Sequence, residues 1–220
     1  IYIDKLAFMI GILGGMGTQA GLDFCSKLAK LYRGKLDQQY PMFILYNKSN
    51  TPKRPENLKK YYNVLNELIE GCKVLSKNKC KFIVMPCNTA HYWHQDIQKK
   101  IKIPLLSMPR EVFNYTKKTC KKNTKIGILC TSPTKNLHIS SVNKSIKYVK
   151  MGKVKEAEKA LRPAVNQLIK KKCKKIILGC TELPIALFAY KSFKKAKDSK
   201  LFIDPNLLLA QVCMRKYKNN

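Results

Sequence analysis

The sequence predicts an α/β fold of two pseudo-symmetric domains, each a mostly parallel sheet flanked by helices, with the active site in the cleft between them. Short apolar runs alternate with longer amphipathic segments along the 220 residues, and repeated strand–helix units of this kind build parallel sheets. An opening strand motif occurs twice, at residues 10–14 and 126–130. A motif centred on cysteine also occurs twice, around Cys87 and Cys180.

The first half of the chain contains four predicted strands, each a short apolar run of the length typical of a buried strand. They are residues 7–12, 42–46, 82–85 and 104–108. The segments between them carry apolar residues at helical spacing, which predicts helices at residues 18–32, 57–76, 89–100 and 110–119. The glycine-rich stretch 14–17 is predicted to form a tight loop between the first strand and the first helix.

The second half repeats the alternation in a shorter form. Strands are predicted at residues 125–130, 175–178 and 201–203, and helices at 154–171, 182–189 and 205–216. No strand is evident between Cys130 and Lys175, and residues 136–148 are polar with no decisive pattern. This half is therefore either shortened or lacks a segment. The predicted domains are residues 1–107, with 206–220 packing back on them, and 108–205.

Composition indicates a soluble cytoplasmic protein. Hydrophobic residues make up 45% of the chain, enough for a core, and no apolar run approaches the roughly 18–20 residues of a membrane span. The nine cysteines are odd in number and contain no C-x-x-C pair. The pattern predicts free thiols in a reducing compartment. The three histidines are not clustered with cysteine, so we expect no structural zinc site.

The formal net charge of +31 is extreme. Only five of the 44 basic residues are arginine, and the lysines are scattered as solvated helix faces, an excess that a biased genome composition explains. Phosphate-binding proteins also carry such charge, but we expect no specific nucleic-acid partner here. The field should still draw small anions towards a cleft.

The two cysteine motifs share one design. Each has an apolar run, a short turn, the cysteine, and then polar residues that suit a helix start. Each thiol is therefore expected where a strand ends and a helix begins, and a helix dipole at that point lowers a thiol pKa. Thiols facing each other across a cleft would suit a reaction that needs a base and an acid on opposite faces of one carbon.

Five segments together resemble the cofactor-independent aspartate/glutamate racemase superfamily, most closely its aspartate racemase branch. They are GILGGMG (11–17), DQQYP (37–41), PCNTAH (86–91), VKMGK (149–153) and GCTELP (179–184). Glutamate racemases usually carry an Asp-Ser pair in the first loop and a histidine after the second Cys-Thr. This chain has Gly15-Met16 and Glu182 at those places. The resemblance implies a homodimeric enzyme of two α/β domains that works without pyridoxal phosphate.

The activity implied by the resemblance is interconversion of L- and D-aspartate, or of the glutamate enantiomers. Cys87 and Cys180 would be the catalytic pair, one acting as thiolate base and the other as thiol acid, with their roles exchanged for the other enantiomer. Mutual repulsion would help to keep both thiols from ionising together. No cofactor or metal is expected, and the glycine loop lacks the spacing of a dinucleotide fingerprint.

The substrate-binding residues are expected at the ends of strands and the starts of helices. Asn88, Thr89 and Thr181 could bind a carboxylate and the developing enolate charge, or could serve as ordinary helix caps. Arg54, on the loop after the second strand, offers a bidentate fork for a second carboxylate. The family counterparts of Arg54 and Lys150 bind substrate. The remaining candidates line the glycine loop or the strand ends, and they are Met16, Thr18, Asn47, Thr131, Ser132 and Glu182.

Three further questions stay open at the level of sequence. His91, four residues past Cys87, could tune the thiol or could simply pack. Glu182 could hold a proton or orient Thr181. The scaffold is also shared by maleate isomerases, which keep both cysteines, and a degenerate relative could bind anionic partners without catalysis.

Overall fold

The computed structural model describes residues 8–32, 34–53, 62–131, 139–188 and 200–219. The chain divides into two compact units. Unit 1 comprises Ile1–Glu111 and Asn206–Asn220, and unit 2 comprises Val112–Pro205. The predicted α/β class is confirmed, because each unit contains a three-stranded parallel sheet with helices beside it.

The sheet of unit 1 is built from three apolar runs of the chain. Its strands are β1 (Met9–Gly14), β2 (Met42–Asn47) and β3 (Cys80–Val84), in the order β2-β1-β3. Gly11 of β1 lies opposite Ile44 on one side and Ile83 on the other. The predicted strand at 104–108 is reduced to one parallel bridge between Leu105 and Ile83, since a helix already begins at Met108.

The helices of unit 1 flank this sheet. They are α1 (Thr18–Leu31), α2 (Tyr62–Lys77), a 3-10 turn (Thr89–Trp93), α3 (His94–Gln98) and the start of α4 (Met108–Thr119), with a second 3-10 turn at Asp37–Gln39. The prediction of one continuous helix over 89–100 is wrong. His94 Nε2 donates to the Leu105 carbonyl at 2.8 Å, and Gln98 Oε1 accepts from the Leu105 N–H at 2.7 Å. These bonds tie α3 to the segment around Leu105. The departure from a regular helix lies before α3, where the His91 N–H donates to the Asn88 carbonyl three residues back at 3.1 Å and the Cys87 carbonyl accepts the His91 side chain.

Unit 2 repeats the parallel plan in its own way. Its elements are β4 (Ile126–Leu129), α5 (Ile139–Lys150), α6 (Val154–Lys170), β5 (Lys175–Leu178), α7 (Leu183–Phe188) and β6 (Phe202–Ile203), with strand order β4-β5-β6. Helix α5 lies where the sequence showed no decisive pattern, although Val142, Ile146 and Val149 are buried at helical spacing. In the described residues between β4 and β5 there are two helices and no counterpart of β2.

The last helix, α8 (Pro205–Lys218), contributes to the core of unit 1. Its residues Leu209 and Cys213 are fully buried in one cluster with Ile10 of β1 and Phe24 of α1. A separate buried cluster around Leu161 and Ile176 forms the core of unit 2. Among the helices of the described chain, none combines the length and the apolar character needed to cross a bilayer.

Candidate active site

The two cysteines of the repeated motif occupy corresponding positions in the two sheets. In unit 1, β1 pairs with β3 through Ile12 and Val84, and Cys87 follows Val84 by three residues. In unit 2, β4 pairs with β5 through Leu129 and Leu178, and Cys180 follows by two residues. Each thiol therefore lies just beyond the carboxyl end of the strand that pairs with its unit's opening strand. Ligands of parallel α/β sheets bind at that end.

Cys87 sits in a tight turn that its neighbours hold in place. The residue is 6% exposed, and its N–H donates to the Met85 carbonyl at 2.8 Å. Its carbonyl accepts a hydrogen bond from His91 Nδ1 at 2.9 Å, while His91 Nε2 accepts one from the Met108 N–H at 3.1 Å. These two partners assign the proton of His91 to Nδ1.

The environment of His91 keeps the imidazole neutral. Burial lowers its pKa from 6.5 to about 4, and the hydrogen bond to the Cys87 carbonyl opposes that shift. Of the two roles left open for His91, its contacts therefore fit packing: the ring supports the main chain of Cys87. His94 stacks beside it, with ring centroids 6.0 Å apart.

Asn88 and Thr89 continue directly from Cys87 and are both half-buried. Thr89 is the first residue of the 3-10 turn. The Asn88 side chain makes no cap bond to that turn, and its Nδ2 is buried with no hydrogen-bond acceptor in the described part of the chain. A buried donor without a partner is costly to keep. Asn88 is therefore suited to an acceptor supplied by a ligand.

The glycine loop places two more predicted residues near the end of β2. Met16 is 4% exposed, whereas Thr18, the first residue of α1, and Asn47, the last residue of β2, are exposed. Asn47 Nδ2 donates to Thr18 Oγ1 at 3.3 Å. The loop residue Gly15 has φ +87°, a conformation that favours glycine.

In unit 2 the second thiol has a carboxyl partner. Cys180 is half-buried, and its Sγ donates to Glu182 Oε2 at 3.0 Å. The same oxygen lies 3.5 Å from Thr181 Oγ1, at the outer limit of a hydrogen bond. Thr181 and Glu182 are each only 3% exposed. The three consecutive residues thus form a small polar cluster at the end of β5.

The structure distributes the other predicted residues unevenly. Thr131 is half-buried two residues past the end of β4. Lys150 is exposed and is the last residue of α5. Arg54 and Ser132 lie outside the described residues. The contacts therefore join Thr18 with Asn47, and Cys180 with Thr181 and Glu182, within their own units.

Other thiols of the chain have surroundings unsuited to ionisation. Burial raises the pKa of Cys25 to about 11 and that of Cys72 to about 12, and it also raises the pKa values of Cys80 and Cys213. None of the nine cysteines is paired in a disulfide. In the described part of the chain, no group of three or more metal-ligating side chains comes together.

An open cavity of about 700 Å³ in unit 1 is lined by residues of the 3-10 turn, α3 and the start of α4. Its wall includes His91, His94, Lys99 and Arg110. None of the predicted catalytic or substrate-binding residues lines this cavity.

One residue of the site region was missed by sequence reasoning. Lys48 directly follows Asn47, yet its side chain is only 8% exposed and forms an ion pair with Glu67, Nζ to Oε2 2.6 Å. In a chain so rich in lysine, nothing in the sequence distinguishes this one from its solvated neighbours. A polar residue immediately after a predicted strand end was the only available signal.

Comparisons with known proteins place the chain among amino-acid racemases by sequence and by fold. The sequence profile of the Asp/Glu/hydantoin racemase family matches residues 13–148. A broad-specificity amino-acid racemase of Bacillus subtilis (strain 168) is 32% identical over 130 residues, which are 57% of this chain and 56% of that protein. The match thus spans little more than half the length of this curated relative.

Solved structures share the fold over nearly the whole chain. The aspartate racemase of Picrophilus torridus is 26% identical, with a TM-score of 0.80, over 96% of this chain and 94% of its own. An aspartate racemase homologue from Pyrococcus horikoshii OT3 is 21% identical, with a TM-score of 0.72, over 96% and 99%. The second likeness shows the fold alone.

Proposed function

Because the chain belongs to the Asp/Glu/hydantoin racemase family, we propose that it is an amino-acid racemase that interconverts L- and D-aspartate without pyridoxal phosphate, with glutamate as a second substrate. One observation carries the proposal. Cys87 and Cys180 each lie just beyond the strand that pairs with the opening strand of their unit. Thiols at corresponding positions in two similar sheets suit a reaction in which equivalent groups act on the two faces of one carbon.

The proposed reaction removes one proton from Cα and adds one proton to it. The thiolate of one cysteine takes the Cα proton, so that an S–H bond forms while the C–H electron pair passes into the substrate carboxylate as an enolate. The thiol of the other cysteine then gives its proton to the opposite face of Cα and is left as a thiolate. Cys87 and Cys180 exchange roles for the other enantiomer, as general acid–base catalysis requires.

Glu182 makes the two thiols unequal before substrate arrives. Its carboxyl oxygen accepts the Cys180 thiol hydrogen bond at 3.0 Å. A negative charge beside a thiol, bonded to its proton, favours the protonated form. We therefore propose Cys180 as the acid and Cys87 as the base in the free enzyme. The Glu182 side chain then acts on the proton of Cys180 and not as a direct substrate ligand.

The charge of the substrate needs donors at both units. The unpartnered Nδ2 of Asn88, next to Cys87, supports a role in binding the carboxylate that becomes the enolate. Thr89 and Thr181 lie beside the two thiols and Thr18 and Asn47 near the glycine loop, in positions suited to further contacts. Met16, Arg54, Thr131, Ser132 and Lys150 stay predicted substrate-binding residues.

Aspartate is proposed as the main substrate because the Picrophilus torridus aspartate racemase, at 26% identity, matches along nearly the whole chain. The test is chiral chromatography after incubation with L-aspartate, L-glutamate and L-alanine. We expect D-aspartate to form fastest, D-glutamate more slowly, and D-alanine least. The proposal would be overturned if none of the three L-amino acids were converted to its D-enantiomer.

A second candidate function rests on the net charge of +31. A non-catalytic relative with this charge would bind polyanions, with affinity falling steeply as salt rises. It would also be indifferent to Cys87→Ser, whereas the racemase would not. Maleate isomerase activity is distinguished from both functions by adding maleate to the same assay and measuring the fumarate that forms.

Location in the cytoplasm and assembly as a homodimer complete the proposal. None of the nine cysteines forms a disulfide, which supports a reducing compartment, and the homodimer is what the family resemblance implies. Sedimentation equilibrium at several protein concentrations tests the dimer.

A further inference from the structure

Lys48 is the only buried lysine in the part of the chain that the structure describes. Lysine is seldom buried unless its charge is paired. Here Nζ lies 2.6 Å from Oε2 of Glu67 and 3.8 Å from Oε2 of Glu70, both on α2. The aliphatic stem passes Gly71, where an added Cβ would come within 3.4 Å of Lys48 Cδ. The side chain therefore ties the end of β2 to α2.

The main chain of Lys48 organises the turn that follows β2. Its carbonyl accepts the Thr51 N–H at 3.1 Å and the Thr51 hydroxyl at 2.8 Å, and its N–H donates to the Tyr46 carbonyl at 3.1 Å. Thr51 is itself only 7% exposed. The hydrogen bonds of the Lys48 N–H and carbonyl therefore stabilise the turn from Asn47 to Thr51.

The glycine loop rests directly on Lys48. A Cβ added at Gly15 would lie 2.2 Å from the Lys48 carbonyl carbon and 2.3 Å from its oxygen, so only a glycine fits there. Asn47, one residue before Lys48, donates to Thr18, three residues after Gly15. The glycine loop and the turn after β2 therefore pack against each other at Lys48.

We propose that Lys48 is a positioning residue, whose ion pair with Glu67 holds the turn after β2 and the glycine loop in the arrangement that presents Thr18 and Asn47 to the substrate. The contacts that define this role are independent of the reaction, but its effect on substrate rests on the proposed racemase function. Lys48 itself points towards α2 and needs no contact with substrate.

Hydrogen exchange tests the positioning without any assay of activity. In Lys48→Met, which keeps most of the stem and removes the charge, the amides of residues 15–18 and 47–51 should exchange at least about tenfold faster than in the wild type. Glu67→Gln should have the same effect from the other partner. Lys73→Met replaces an exposed lysine of α2, the helix that carries Glu67. It is the matched control and should leave exchange in these segments unchanged.

Two exchange results would overturn the inference. One is exchange within twofold of wild type in both segments. The other is a uniform rise throughout unit 1, which indicates general destabilisation and not the loss of a local constraint.

Kinetics separates positioning from folding. We expect Lys48→Met to raise KM for aspartate about tenfold with kcat within twofold, because binding geometry is lost while the thiols are untouched. A purely structural role would lower kcat, through a smaller folded fraction, and leave KM unchanged. If the wild type racemises nothing, the proposed function fails while the exchange measurement still decides the role of Lys48.

Discussion

The thiol of Cys180 donates a hydrogen bond to Glu182 across 3.0 Å, and this carboxyl group is only 3% exposed. Cys87 is supported differently, since His91 holds its main-chain carbonyl. One thiol thus has a carboxyl oxygen as the acceptor of its proton, and the other has a neutral ring that fixes its backbone. We expect the interaction of Cys180 with Glu182 to influence the pH dependence of the proposed reaction.

Replacement of Glu182 should move the pH dependence of the reaction. In Glu182→Gln the carboxyl group beside Cys180 is gone, so the thiolate of Cys180 forms more easily. We expect the profile of kcat/KM against pH to move down by about one unit. The shift should be equal for L- and D-aspartate, because both directions use the same singly ionised thiol pair and the equilibrium constant of racemisation is one.

The control for that change is Glu158→Gln, at another buried glutamate of unit 2, which pairs with Arg162. It should leave both pH profiles in place. A pH profile of Glu182→Gln that coincides with that of the wild type, or one that moves to higher pH, would contradict the role given to Glu182.

Asn88 should show opposite effects on binding and stability. Its buried Nδ2 has no acceptor among the described residues, so Asn88→Ala should leave the melting temperature unchanged or raise it slightly. Losing a donor to a substrate carboxylate costs about 1.5–3 kcal/mol, a KM roughly 10- to 100-fold higher. Asn78→Ala, which removes a bond to the Val74 carbonyl, should lower stability and leave KM alone. The reverse pattern would show that Asn88 is structural.

His91 should make the fold sensitive to mild acid. The folded pKa is about 4, whereas the unfolded value is near 6.5, so between these pH values only the unfolded chain binds the proton. The contribution of His91 is complete above about pH 6.5 and is lost as the pH falls towards 4. From pH 7.5 to pH 5, the free energy of unfolding should fall by ~2 kcal/mol more in the wild type than in His91→Gln. Equal pH dependence in denaturant titrations would count against a buried neutral imidazole.

Gly15 and Gly152 form a matched pair of glycines with positive φ, at +87° and +72°. A Cβ at Gly15 would strike the backbone of Lys48, whereas one at Gly152 would meet nothing within 4 Å. We expect Gly152→Ala to cost about 1–2 kcal/mol from the backbone conformation alone. Gly15→Ala should cost ~3 kcal/mol or more, because a steric clash is added. Similar losses in thermal unfolding would mean that the loop moves freely away from Lys48.

The strands were predictable because their signal is local. Apolar, β-branched runs such as 175–178 are short, continuous and bounded by turn residues, and β5 begins and ends where predicted. The twin cysteine motifs were likewise visible, because strand, turn and cysteine are adjacent in sequence. The mirrored strand-end positions of Cys87 and Cys180 follow from that adjacency.

The remainder depended on contacts between distant segments. The segment after Cys87 begins as a 3-10 turn because the Cys87 carbonyl accepts the His91 side chain while the His91 N–H donates to the Asn88 carbonyl. The His91 ring is held in turn by the N–H of Met108, a contact that no local pattern reveals. Helix α5 was hidden by its polar surface, although the spacing of Val142, Ile146 and Val149 was a usable signal. The burial of Lys48 depends on Glu67, nineteen residues away, and had no local sign at all.

The proposed mechanism requires two thiols that exchange protons with one Cα. Proton NMR and polarimetry of the same L-aspartate solution in deuterated water, with wild type, Cys87→Ser and Cys180→Ser, follow that exchange directly, with Cys120→Ser as a control thiol outside the site. We expect deuterium at Cα and loss of optical rotation for wild type and Cys120→Ser, and no racemisation by either catalytic variant. Racemisation that survives both single replacements, or a wild type that leaves the Cα proton and the rotation intact, would contradict it.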